Sequence, residues 1–216
     1  MSERVVLALE LSTTLGQVAV VRGDVVLYRA EFVSERSHNS HLFTPLGEAL
    51  DVAGGELDRI VVGTGPGSYT GVRIGIAAAQ GIALSRGVPV IGWPSIAAPD
   101  AAGAERWWVI GDARRGSFYL AEVGEDQKVG SMRVMGLDEI MEWLAQNGDK
   151  ARLTMDARLP VEDAGITLSK PSAVKLAEIA GALSDDAVSA LASEALQPLY
   201  VTEAFITKAK RPFRSE

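Results

Sequence analysis

The order of apolar runs and glycines predicts an α/β protein. Three apolar runs, 5–11, 17–21 and 25–30, crowd the N-terminal end and are separated by polar or Gly-containing turns. A fourth run, Ile60-Val61-Val62, feeds straight into Gly63-Thr64-Gly65-Pro66-Gly67-Ser68-Tyr69-Thr70-Gly71. A nearly charge-free stretch, 72–84, follows. Strand, tight Gly-rich loop and helix is the pattern this order spells.

Composition bounds the reading. The 216 residues suffice for one large domain or two small ones. A hydrophobic fraction of 47% with dispersed charge describes a folded globular chain. Cys is absent, which removes disulfides and thiolate zinc sites and suits a reducing compartment. The N-terminus shows no basic segment followed by a long apolar core, and no stretch approaches ~20 strongly apolar residues. A cytoplasmic protein with no membrane partner is expected. The net charge of -7 makes the chain a poor general binder of phosphate backbones.

The elements follow in order. Runs 5–11 and 17–21 read as strands, Arg22-Gly23-Asp24 as a turn, and 25–30 as a third strand. Residues 34–40 are polar and read as a loop. Leu42, Phe43, Leu46 and Leu50 recur at helical spacing, with Pro45 placed in the first turn and Gly54-Gly55 as the stop. The helix after the Gly loop closes at Gly87, and 88–91 reads as another strand. Residues 94–99 mark a change, so a first unit at 1–100 and a second at 101–216 are expected, with the C-terminal segment packing back on the first. In the second, 107–110 and 117–121 read as strands and 137–144 and 174–183 as helices. Residues 150–171 are weakly patterned and read as short strands and loops, and the basic segment 208–214 as a mobile tail. No internal sequence repeat is visible.

A Gly-rich loop opening a helix is a natural anion site, because free N–H groups and the helix dipole both favour negative charge. The bland alternative is a tight turn that needs glycine and binds nothing. Neither common nucleotide motif fits. A P-loop needs Gly-Lys-Ser/Thr where Thr70-Gly71-Val72 stands. The dinucleotide fingerprint wants one residue fewer between Gly67 and Gly71.

The stretch from Gly65 to Gly75 closely resembles the signature of the TsaB (YeaZ) family. Residues 7–13, Asp112-Ala113-Arg114-Arg115-Gly116-Ser117-Phe118-Tyr119 and Pro198-Leu199-Tyr200-Val201 resemble that family's other motifs in the same order. The resemblance implies the actin-like ATPase (ASKHA) fold, with two ribonuclease H-like subdomains, each a mixed sheet with flanking helices. It implies a non-catalytic relative of TsaD that binds and activates TsaD for making threonylcarbamoyladenosine in tRNA, beside the anticodon. It also implies TsaE and tRNA as partners through the complex, and a homodimer through the face of the helix after the Gly loop that would also meet TsaD. No cofactor is expected for the chain alone; ATP or ADP belongs to the complex. Two alternatives stay open: an ATP-dependent small-molecule kinase of the same fold, and a metallopeptidase-like protein.

The candidate site residues divide in two. Glu10, Ser12, Thr13, Gly65, Gly67, Ser68 and Arg114 are candidate anion or nucleotide contacts. In active members of the wider fold an Asp near position 10 helps hold metal and phosphate; the plainer reading of Glu10 is a solvent-accessible strand end. Asp112, Arg114 and Arg115 fit either an anion or a salt-bridge cluster. His38 and His41 lack the His-x-x-x-His spacing and an evident third ligand, so no metal site and no catalytic residue are assigned. The second group is a partner interface of Leu42, Leu46, Gly71, Val72, Gly75, Ile76, Ala79 and Ile82. A helix apolar nearly all round needs cover on both sides, and a sheet covers one. The competing reading buries that helix wholly inside its own domain.

Overall fold

The computed structural model describes residues 3–33, 38–101, 105–161 and 165–201. Strands β1 (Val5–Glu10), β2 (Leu15–Arg22), β3 (Val25–Val33), β4 (Leu57–Gly63) and β5 (Val90–Trp93) form one sheet in the order β3-β2-β1-β4-β5. The first three are antiparallel neighbours; β4 runs parallel to β1, and β5 to β4. Helix α1 (His38–Ala53) joins β3 to β4, and α2 (Tyr69–Arg86) joins β4 to β5. This is the ribonuclease H-like wiring of the actin-like ATPase fold.

The second sheet repeats it. Strands β6 (Trp107–Arg114), β7 (Ser117–Val123), β8 (Val129–Gly136), β9 (Arg152–Thr154) and β10 (Ile166–Leu168) lie in the order β10-β9-β6-β7-β8. Again three strands are antiparallel and two continue in parallel. Helix α3 (Leu137–Gln146) joins β8 to β9, and α4 (Ala173–Ala182) and α5 (Asp185–Ala192) follow β10. The repeat is one of topology, carried by unrelated residues.

Why these residues build this core follows from β1. All six of its residues are buried, as a central strand covered on both faces requires. Alternation sends Val5, Leu7 and Leu9 to the side of Leu42, Leu46, Val72 and Ile76 on α1 and α2. It sends Val6 and Ala8 to the side of Leu176, Ala177 and Ala180 on α4. That second cluster continues into Trp107, Val109, Tyr119 and Ala121, so the two sheets share one apolar core. Side chains of the first sheet, with Arg4 just before β1, pin α4 at both ends. Gln17 donates to the Pro171 carbonyl at 3.1 Å and accepts from the Ala173 N–H at 2.9 Å. Arg4 and Arg59 donate to carbonyls at the other end, where cations suit the helix dipole.

Several sequence expectations shift. Helix α1 starts at His38, inside the expected loop, so Pro45 lies in its interior rather than in its first turn. The strand expected at 88–91 runs from Val90 to Trp93. Strand β8 and helix α5 were not expected at all. The basic segment 208–214 and residues 34–37 lie outside the described residues. No described helix is long and apolar enough to cross a membrane.

Candidate functional site

The Gly loop is folded down onto the turn between β1 and β2. Gly65 and Gly67 hold φ of 92° and 156°, conformations that favour glycine. A Cβ on Gly67 would overlap the Ser12 carbonyl oxygen, and one on Gly71 the Leu11 carbonyl oxygen. Backbone therefore lies against backbone, and the N–H groups of Gly65, Ser68, Gly71 and Val72 are spent inside the chain. Ser68 N–H donates to the Ser12 carbonyl at 2.6 Å. Gly65 N–H donates to Ser95 Oγ at 2.9 Å. Ser68 caps α2 by accepting from the Gly71 N–H at 3.1 Å, and Val72 N–H reaches the Ser68 carbonyl at 3.0 Å. The expected outward-pointing anion cradle is closed at these groups.

Glu10 is likewise not a solvent-accessible strand end: it is fully buried. Its Oε1 accepts from the Ser12 N–H at 2.7 Å. A Cβ on Gly63 would overlap Oε2, so glycine there makes room for the carboxyl. Among the described residues, Oε2 and Ser12 Oγ have no hydrogen-bond partner. Burial pushes the Glu10 carboxyl above its ordinary pKa, against the pull of the nearby Ser12 side chain, the Ser12 N–H and the Ser95 side chain. Thr13 is occupied locally, its Oγ1 donating to the Leu15 carbonyl and accepting from the Leu15 N–H.

Arg114 ends β6 with φ of 74°, its side chain 86% exposed and 3.7 Å from Asp112. The structure gathers Glu10, Ser12, Gly65, Gly67 and Ser68, but shows no contact from Arg114 to them. Asp112 has a neighbour that sequence reasoning missed: its N–H donates to Asp156 Oδ2 at 2.7 Å. Burial raises the Asp156 pKa, and the charge of Asp112 adds to that. Asp156 follows β9, 44 residues away, so no local spacing could reveal the pair. His41 is exposed, and the His38 side chain lies outside the described residues. Among the described residues no three His, Cys, Asp or Glu group as a metal site.

The proposed helical face is corrected in detail. Leu42, Leu46, Gly71, Val72, Gly75, Ile76 and Ala79 are buried inside the chain's own core, against β1, β2 and β4. Gly75 lets α2 approach Leu11 and Val62, whose methyls a Cβ would meet at 3.2 and 3.3 Å. Ile82 is half-buried at the edge of that cluster. The outward side of α2 is a different stripe. Ala77, Gly81 and Leu84 are exposed, and Ile74 and Ala78 half-buried. Phe43 and Val52 are exposed on α1. At the start of α2, the Arg73 guanidinium lies 4.0 Å from the Tyr69 ring centre and donates to Tyr200 Oη at 2.8 Å. The Leu199 N–H meets the Thr64 carbonyl at 2.8 Å, bringing the chain's last described segment back beside the Gly loop.

Comparison with known proteins follows the same lines. The family model described as TsaD, tRNA N6-adenosine threonylcarbamoyltransferase, matches residues 32–200. The tRNA threonylcarbamoyladenosine biosynthesis protein TsaB of Escherichia coli (strain K12) is 34% identical over 130 residues, covering 56% of each chain. TsaB of Bacillus subtilis (strain 168) is 37% identical over 123 residues, 53% of this chain and 52% of that one. The chain thus spans about half the length of the curated relatives it matches. A solved Pseudomonas aeruginosa protein, described as uncharacterized with similarity to peptidase YEAZ, aligns with a TM-score of 0.68 at 26% identity. That alignment covers 92% of this chain and 100% of the other.

Proposed function

Because this chain belongs to the TsaB (YeaZ) family and matches the TsaD family model over most of its length, we propose that it is a non-catalytic partner of TsaD. It binds TsaD and activates it for threonylcarbamoyl transfer to the adenosine beside the anticodon of tRNA. TsaE and tRNA join through that complex, in the cytoplasm. The chain needs no cofactor of its own, and ATP or ADP belongs to the assembled complex.

The observation that carries this reading is the outer side of α2. Ala77 and Gly81 stand one helical turn apart on it, flanked by Ile74, Ala78 and Leu84, with Leu84 87% exposed. Small and apolar residues together make a surface another helix can approach closely. The kinase reading, by contrast, needs loop donors facing outward. Here those of Gly65, Ser68 and Gly71 meet the chain's own oxygens.

The test is binding of purified TsaD to variants Ala77→Arg and Gly81→Arg. Both positions are exposed, and nothing lies within 4 Å of a Cβ built on Gly81, so circular dichroism should show an intact fold. A charge placed in an interface core should weaken the complex by about 2 kcal/mol, roughly thirtyfold. Folded variants that bind TsaD as tightly as the parent place the interface elsewhere. Variants that lose self-association alone assign the face to a homodimer.

A further inference from the structure

The end of the first sheet opposite the Gly loop holds a cavity of about 430 Å³. It lies where β1, β4 and β5 begin and α5 starts, and Arg4, Asp58, Arg59, Pro89, Asp185 and Ser189 line it. Arg59 is the buried member, its side chain only 4% exposed. Its Nη1 donates to the Ala180 and Leu183 carbonyls at 2.9 and 3.0 Å. Arg4 Nη1 donates to the Gly181 and Leu183 carbonyls at 3.3 and 3.1 Å. Capping α4 accounts for these two nitrogens and leaves the other edge of each guanidinium unexplained.

That other edge converges on one oxygen. Asp185 Oδ1 sits 2.5 Å from Arg59 Nη2 and 3.0 Å from Arg4 Nη2. The Asp185 side chain is 77% exposed, so solvent screens the pair. Arg59 Nε, on the same edge as Nη2, is buried and has no hydrogen-bond partner among the described residues. A guanidinium edge presents two parallel N–H groups matched to two oxygens of one oxyanion, and Asp185 fills one prong. Asp58 also lines the cavity, its Oδ2 accepting from the Val5 N–H at 2.6 Å.

We propose that this cavity binds a small oxyanion, a phosphate or carboxylate group, with Asp185 as its internal stand-in. The anion takes the place of Asp185 Oδ1 between Arg4 and Arg59 and adds a second oxygen on Arg59 Nε. Asp185 swings into solvent when the anion enters. The site is independent of the α2 surface and of any reading of it.

The test is titration of the full chain with inorganic phosphate and, separately, sodium acetate, at constant ionic strength held with chloride. Amide shifts in the nuclear magnetic resonance spectrum at Arg59 and Ser189 give the affinity. The parent should bind weakly and saturably. Asp185→Asn, which removes the internal competitor, should bind at least tenfold tighter, and Arg4→Ala should lose most of the affinity. Saturation by phosphate alone assigns a phosphate group; by acetate alone, a carboxylate; by both, a general oxyanion site. No saturable shift in the parent or in Asp185→Asn overturns the proposal and leaves the cluster as a helix cap. Equal affinity in the two overturns the role given to Asp185. The parent titration stands even where a variant fails to fold.

Discussion

Gly67→Ala adds one methyl group where the Gly loop touches the β1–β2 turn. The φ of 156° at Gly67 is a conformation L side chains rarely adopt, costing about 1–3 kcal/mol. The new Cβ also collides with the Ser12 carbonyl oxygen. Relieving that collision moves the acceptor of the 2.6 Å bond from the Ser68 N–H, worth about 1 kcal/mol. Together the loss is about 2–4 kcal/mol. For a chain of 216 residues each kcal/mol lowers Tm by about 2–4 °C, so a drop of roughly 5–15 °C is expected. Gly81→Ala is the matched control. It lies in α2 with open space around its Cβ, and should gain about 0.5–1 kcal/mol from helix propensity. Calorimetric melting of both variants is the assay. A Gly67→Ala protein that melts with the parent would refute the closed-loop geometry, because a slack loop absorbs a methyl without cost.

Glu10→Gln should change the pH dependence of stability. The carboxyl has a raised pKa in the fold, so its contribution is fully present below the unfolded value and is lost as pH rises through the folded one. The Tm of Glu10→Gln minus that of the parent should therefore grow from pH 4 to pH 8; a flat difference would mean that the fold does not raise the Glu10 pKa. Gln17→Ala should cost about 2–4 kcal/mol by urea unfolding, because it leaves the buried Pro171 carbonyl and Ala173 N–H without partners. A loss below 0.5 kcal/mol would show that α4 does not depend on that clamp.

What the sequence made legible was local. The apolar run 5–11 announces a central strand because every residue of β1 is buried, and Ile60-Val61-Val62 with its glycines announces a strand, loop and helix. Strand β8 is half-exposed and carries Gly130, Ser131 and Arg133, so no alternation marks it. Helix α5 did leave a signal, Ser184 as N-cap with Asp185 and Asp186 in the first turn. The face of α2 could not be chosen from periodicity, since a helix apolar on nearly all sides points everywhere at once. Only the fold shows that Gly71 and Gly75 lie against Leu11 while Ala77 and Gly81 face out. Glu10 reads as a strand end in sequence, yet Ser95, distant in the chain, helps to close it in beside Gly63. The Arg59–Asp185 pair spans 126 positions and leaves no trace in any window.

Activity in a reconstituted system decides whether the chain acts as an activator. TsaD, tRNA and the activated threonylcarbamoyl intermediate are combined with and without this chain, and modified adenosine is counted by mass spectrometry. Transfer should be slow with TsaD alone, rise at least tenfold when the chain is added, and be absent when the chain is the sole protein. Full-rate transfer by TsaD without it, or turnover by the chain alone, would contradict the role of a non-catalytic partner.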